Sequence, residues 1–151
     1  MAYRLIQAGN NLSLSKGKVV FLGGGSRGND WRDTFYRTFS ERDDITFISP
    51  FRTTYPNPEM DPKGHSDIVE WERTAIASCD IAIFWLGAGL SNQAARVEIG
   101  YALGAGKTVI VGAEDSFLGL EHLSSFGGFV LSNSLESIMT RLKAELISLH
   151  K

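Results

Sequence analysis

The stretch DIAIFWLGAGLSNQAARVEIGYALGAG, Asp80 to Gly106, decides the fold. Its first part, Ile81-Ala82-Ile83-Phe84-Trp85-Leu86, carries no charge and does not alternate, the pattern of a parallel strand buried on both faces. Asn92 to Ala105, NQAARVEIGYALGA, then reads as a helix with only two charges, Arg96 and Glu98. At helical spacing Glu98 shares a stripe with Ala94, Ala95, Tyr101 and Ala102. A carboxylate on a stripe of small residues faces burial, which is costly for an unpaired ion. Glu98 is therefore either ion-paired, with Arg96, Arg52 or Arg27 as candidates, or held there for chemistry.

Working outward, Lys18 to Leu22 reads as a buried strand ended by Gly23-Gly24-Gly25-Ser26-Arg27-Gly28. A helix is expected over Asp30 to Glu41, with Trp31, Phe35 and Phe39 inward. Ile45 to Ile48 is a second strand, stopped at Pro50. The loop Pro50 to Ser66 holds all four prolines of the chain, and loops this long in compact domains are often functional. Ser66 or Asp67 is expected to cap a helix to about Ser78, with Ile68, Trp71, Ala75 and Ile76 inward. Lys107 to Gly112 and Gly128 to Leu131 complete the strands. Asn133 and Glu136 form a capping-box pattern opening a last helix to about Leu149, with Leu135, Ile138, Leu142, Leu146 and Leu149 on its apolar face. Residues 1–17 are polar and weakly patterned, an extension expected to be mobile or packed on a neighbour; residues 18–151 form one domain.

Strands alternating with helices give an α/β fold. The expected form is a flavodoxin-like (Rossmann-like) five-stranded parallel sheet, order 2-1-3-4-5, with helices on both faces. Ligands in such sheets sit beyond the carboxyl ends of the strands, at the switch point. That directs attention to Gly23–Gly28, Pro50–Ser66, Gly87–Asn92 and Gly112–Ser116.

Bulk properties narrow the function classes. A net charge of −2 offers no electrostatic footprint for a nucleic-acid polymer or an anionic membrane. No segment approaches the roughly 20 apolar residues of a membrane span, and the N-terminus lacks the apolar run of a signal peptide, so a cytoplasmic location is expected. The single cysteine, Cys79, has no metal-ligand spacing around it, and no spacing supports a metal site or a Ser-His-Asp triad, so no cofactor is expected.

The first loop contains GxGxxG as Gly23, Gly25 and Gly28, but the second strand ends Ile48-Ser49-Pro50 without the acid that a nicotinamide-binding reading would also want, which disfavours dinucleotide binding. The remaining reading is a tight turn that brings backbone close to a ligand, with Ser26 and Arg27 as donors. Glu72 and Glu98 lie on the helices entering and leaving the third strand, so their side chains can meet near its end. Two carboxylates in different environments suit glycoside cleavage, one nucleophilic and one acidic. Against this, Glu70, Glu72 and Arg73 together read as a solvated helix face. Trp85 is either core or ligand platform, and Asn92 fits an N-cap. Phe51, Arg52 and Tyr55 either wall a flat ligand or pack the loop. His65 and His122 are isolated.

VVFLGGGS (Val19–Ser26), DIVEWERTAIASCDIAIFWLG (Asp67–Gly87) and ARVEIGYALGAGKTVIVG (Ala95–Gly112) together resemble the nucleoside 2-deoxyribosyltransferases and their N-glycoside hydrolase relatives. The resemblance implies a flavodoxin-like fold and double-displacement exchange of bases on 2′-deoxyribose, a reaction of nucleoside salvage. Glu98 falls at the nucleophile position, attacking C1′ to form a glycosyl-enzyme ester. Glu72 falls at the acid that protonates the departing base, commonly Asp in the family. Asp80 matches an acid at the start of the strand, with a structural role. Asn92 stands where the transferases commonly have Asp and the nucleotide hydrolases Ser, which leaves nucleoside against 5′-monophosphate open. His122 lies near the position from which a neighbouring subunit contributes an Asn to the 5′-group, and a homo-oligomer is implied. The expected catalytic residues are thus Glu98 and Glu72. Gly23, Gly25, Ser26, Arg27, Phe51, Arg52, Trp85, Asn92 and His122 are expected to contact a small-molecule nucleoside or nucleobase. The alternatives are an N-glycoside hydrolase of nucleosides or 5′-monophosphates and, in another class, a non-catalytic nucleotide sensor.

Overall fold

The structure, a computed structural model, describes residues 3–13, 17–25, 30–87, 92–114, 117, 119–127 and 129–148. Six strands, β1 (Arg4–Gln7), β2 (Lys18–Gly23), β3 (Ile45–Ser49), β4 (Ile81–Leu86), β5 (Thr108–Ala113) and β6 (Val130–Ser132), alternate with five helices. The helices are α1 (Arg32–Thr38), α2 (Pro62–Ser78), α3 (Gln93–Gly104), α4 (Leu120–Phe126) and α5 (Leu135–Ser148). All strands run parallel, in the order β1-β3-β2-β4-β5-β6. The five-stranded sheet of order 2-1-3-4-5 is thus corrected to six strands. The additional one comes from the extension, where Leu5 and Ile6 pair with Phe47 and Ile48. Residues 4–12 are also not an unattached tail, since Ile6 is buried and Leu12 packs on the core.

The strands are apolar on both faces because each face carries its own helical layer. Ala82, Phe84 and Leu86 of β4 join Ala75 and Ile76 of α2, Ala95, Ile99 and Ala102 of α3, and Leu123 of α4 in one cluster. Ile81 and Ile83 face the other way, onto Trp31, Phe35 and Phe39 around α1 and Ile138, Leu142 and Leu146 of α5. Leu149 lies outside the described residues. Asp80 locks the start of β4 to β2: its backbone N–H donates to the Val19 carbonyl, and its Oδ2 accepts from the Val19 N–H, each at 2.8 Å. No helix among the described residues is long and apolar enough to cross a membrane.

Three boundaries differ from expectation for local reasons. Helix α2 begins at Pro62, not at Ser66, because Pro62 occupies the first turn and Asp61 caps it, its carboxylate accepting from the Gly64 N–H at 3.0 Å. The cap of α5 is Ser134, not Asn133: its Oγ accepts from the Ser137 N–H at 3.1 Å. Helix α1 spans Arg32–Thr38 rather than Asp30 to Glu41, with the Asp30 side chain accepting from the Arg32 N–H ahead of it.

Candidate active site

Helices α2 and α3 pack beside one another on the same face of the sheet, flanking β4. The inner residues of α3 are small, and Ala95 and Ala102 are buried without filling much space. A pocket of about 430 Å³ opens where the two helices meet the carboxyl ends of β2, β3 and β4, and both Glu72 and Glu98 line it. Glu72 is half-buried and takes no part in the exposed pair formed by Arg73 and Glu70, at 2.9 Å. The solvated-face reading therefore applies to Glu70 and Arg73, not to Glu72.

Burial pushes the Glu72 carboxyl above its ordinary range, and the Arg52 guanidinium pulls it back. Glu98 is pushed up to about 8, first by burial and then by the negative charge of Glu72, with Arg32 opposing. Its Oε2 is buried and has no hydrogen-bond partner among the described residues. Among the described residues the cation that acts on it is Arg32, which is not one of the three expected ion-pair partners. Arg96 stacks its guanidinium 4.5 Å from the Phe117 ring centroid, the charge of Arg52 acts on Glu72, and Arg27 lies outside the described residues.

Arg32, absent from the expected site, is the largest fully buried side chain among the described residues and lines the pocket. Its Nε donates to the Leu22 carbonyl at 2.8 Å, one terminal nitrogen to the Gly24 carbonyl at 2.7 Å, and the other to Asp30 at 2.8 Å. It also stands over Trp31 and Phe51, 4.6 and 5.8 Å from their ring centroids. One guanidinium thus joins the end of β2, the Gly-rich loop and the Pro-rich loop. A charged residue directly after Trp31, on the inward side of α1, was the signal available in sequence.

The expected contact residues divide. Phe51, Asn92 and Gly25 line the pocket. Asn92 does not cap α3 with its side chain, although it holds the N-cap position at a left-handed φ of 50°. Its Oδ1 accepts from the Gly25 N–H and its Nδ2 donates to the Gly87 carbonyl, both at 3.2 Å, tying the Gly-rich loop to the end of β4. Gly24, at φ 108°, must be glycine, because a Cβ there would run into the Trp85 carbonyl oxygen. Gly23 is a buried sheet residue whose missing Cβ makes room for the Phe84 and Phe21 rings. Arg52 lines two adjoining clefts on the far side of Phe51. Trp85 shares the parity of Ile81 and Ile83, so its ring packs toward Gly112 and Ile138 on the opposite face. His122 sits on exposed α4, 6.3 Å ring to ring from Phe126 in a separate groove. Ser26 and Arg27 lie outside the described residues.

Tyr55, His65, Ile68 and Val69 extend the pocket wall from Glu72 toward the start of α2. His65 and Glu72 are seven residues apart, two helical turns on one face, a spacing that identifies His65 once Glu72 is known to face inward. Among the described residues no three His, Cys, Asp or Glu side chains gather where they could hold a metal ion.

The architecture defines a class: a parallel α/β domain with a pocket at the carboxyl edge of the sheet, lined by two carboxylates. Within that class the chain belongs to the nucleoside 2-deoxyribosyltransferase-like family, whose model matches residues 17–117. No curated protein matches the chain. Among solved structures, a CMP N-glycosidase from Clostridium botulinum is similar at 18% identity and a TM-score of 0.48, covering 84% of this chain and 99% of that one.

Proposed function

We propose that the protein is a nucleoside 2-deoxyribosyltransferase that exchanges the base of 2′-deoxynucleosides through a covalent deoxyribosyl-Glu98 intermediate. The observation that carries this reading is the carboxylate pair in one pocket, with an oxygen of Glu98 left without a hydrogen-bond partner among the described residues. Family membership supports an enzyme acting on nucleosides or nucleotides.

In the first half-reaction a Glu98 carboxylate oxygen attacks C1′ as the C1′–N bond breaks. The bonding pair leaves with the base, and the Glu72 carboxyl supplies the proton. In the second, the incoming base nitrogen attacks C1′, its proton passes to the Glu72 carboxylate, and Glu98 departs as the anion. Cleavage builds positive charge on the sugar, so an adjacent anion stabilises the transition state more than the ground state. With the pocket empty, repulsion between the two carboxylates keeps one proton on the pair, on the Glu98 side. Substrate reverses the preference. Charge growing at C1′ favours an ionised Glu98, while the base nitrogen accepts a hydrogen bond from a protonated Glu72.

Hydrolysis needs the same two residues and differs in whether water reaches the ester. Asn92 favours keeping that second reading, extended to 5′-monophosphates, because this neutral side chain is engaged with Gly25 and Gly87 and offers no carboxylate to a sugar 5′-hydroxyl. Incubation with deoxyinosine and free adenine or cytosine, followed by chromatography, discriminates. A new deoxynucleoside means transfer, and free base with deoxyribose means hydrolysis. No turnover across a panel that includes 5′-monophosphates means a binding domain.

The pair also sets a pH dependence. The singly protonated form is the active one, and above about pH 8 Glu98 also ionises. The expected profile of kcat/KM is a bell whose alkaline limb falls near pH 8 and whose acid limb lies above the ordinary carboxylate range, as the raised Glu72 requires. A profile flat from pH 6 to about 10 would remove the pair from the mechanism.

A further inference from the structure

The N-terminal segment lies ahead of the family match, which begins at residue 17, yet it reaches the helix that carries Glu72. After β1 the chain turns, with the Asn10 N–H donating to the Gln7 carbonyl at 3.0 Å. The Asn10 carbonyl then accepts from Trp71 Nε1 at 2.8 Å, a bond spanning 61 residues of sequence. Leu12 and Trp71 pack against the same core cluster. Gly9, at φ 83°, lies against Arg52: a Cβ there would stand 3.5 Å from both terminal guanidinium nitrogens. The same guanidinium is 5.9 Å from the Trp71 ring centroid. Trp71 directly precedes Glu72, and Arg52 is the cation that acts on it.

We propose that residues 4–12 form a clamp that holds Arg52 over the Trp71 ring, next to the position of Glu72, with Trp71 and Arg52 serving as positioning residues for proton transfer to and from the base. The inference rests on the reading of Glu72 as the acid/base group. An arginine on a long flexible stem exerts a fixed field only where its guanidinium is held in place. Arg52 is half-buried, and its Nε is buried without a hydrogen-bond partner among the described residues, so contacts with Gly9 and Trp71 take on the task of fixing it. Among the described residues the charged and titratable groups around Glu72 are few. Arg52 approaches from the Pro-rich loop, Glu98 from α3, and His65 lies two turns earlier on α2, while Arg32 acts on Glu98 from α1. Glu70 and Arg73 pair with each other at the surface.

The test follows the Glu72 carboxyl by ¹³C NMR titration in the Glu98→Gln background, where no second carboxyl shares its proton, with no substrate present. Arg52→Gln is expected to move its midpoint up by about one pH unit. Trp71→Phe, which keeps a ring but loses the N–H donor, and Gly9→Ala, which strains the positive φ, are expected to move it in the same direction by about half that. With Glu98 restored, each variant should lower kcat, leave KM for deoxyinosine unchanged, and shift the acid limb upward. A Glu72 midpoint unmoved by Arg52→Gln overturns the inference. So does one moved by Arg52→Gln but by neither Trp71→Phe nor Gly9→Ala. Trp71→Phe decides the matter if Gly9→Ala does not fold. Because the titration needs no turnover, an inactive wild type would defeat the transferase reading alone.

Discussion

Glu98→Gln is expected to abolish turnover and, at pH 8 and above, to raise the melting temperature. Gln cannot form the ester, so the loss should be at least ~10³-fold. The gain in stability follows from the proton balance. The Glu98 carboxyl sits near 8 in the folded protein against an ordinary 4.5. Between these values the folded state keeps a proton that the unfolded chain releases, so stability falls as pH rises. At about 1.4 kcal/mol per pH unit, the full cost approaches roughly 5 kcal/mol above pH 8. It is absent below the unfolded value. A neutral Gln escapes it, and at 2–4 °C per kcal/mol for a domain of this size the variant should melt on the order of 10 °C higher at pH 8.5, with little difference at pH 4.5. Thermal melts of both proteins at the two pH values check this. Residual activity near wild type would remove Glu98 as nucleophile, and parallel pH slopes would remove the buried charge as the cause.

Arg32→Leu should act in the opposite sense on stability. Removing the guanidinium takes its donors away from the Leu22 and Gly24 carbonyls and its charge away from the Asp30 carboxylate. Breaking a buried charged network from one side costs about 3–5 kcal/mol, an expected fall of order 10 °C in melting temperature. Arg32→Lys should recover only a fraction, because an ammonium cannot reproduce three directed bonds from one planar fork. Where the variant folds, loss of the cation that opposes the rise of Glu98 should move the alkaline limb of the rate profile to higher pH. A variant as stable as wild type would show that the buried network carries little of the fold.

The residues that were legible in sequence are those whose role follows from a pattern within their own element. An uncharged IAIFWL can only be a covered strand. Glu98 stands out because everything around it on α3 is small, and Glu72 is found from it as the acid on the preceding helix. What escaped was set by contacts between elements. RLIQ is four residues with only Ile6 buried, too short and too polar to be read as a strand without β3 beside it. Asn92 looks like a cap and instead bridges two loops, because its left-handed backbone turns the side chain away from the first turn of α3. The position of Trp85 at the end of the strand allows either core or ligand platform, whereas the decisive fact is parity. Alternate residues point to opposite layers, and Ile81 and Ile83 already mark the layer away from Glu98. Arginine is rarely a core residue, and the carbonyls that justify the burial of Arg32, those of Leu22 and Gly24, are brought to it only by the packing of α1 on the end of β2.

Strand β1 also has a consequence for solubility. It stands at the border of the sheet, and the strand behind it, ITFIS, is buried at every position and carries neither charge nor proline. If the polypeptide began at residue 17, where the family match starts, that row of unpaired amides and carbonyls would face solvent as a sticky template for other chains. Four residues flanked by outward-facing Arg4 and Gln7 replace it with a short polar hem. Removal of residues 4–12 is therefore expected to promote self-association, which light scattering of the trimmed domain beside the full chain checks.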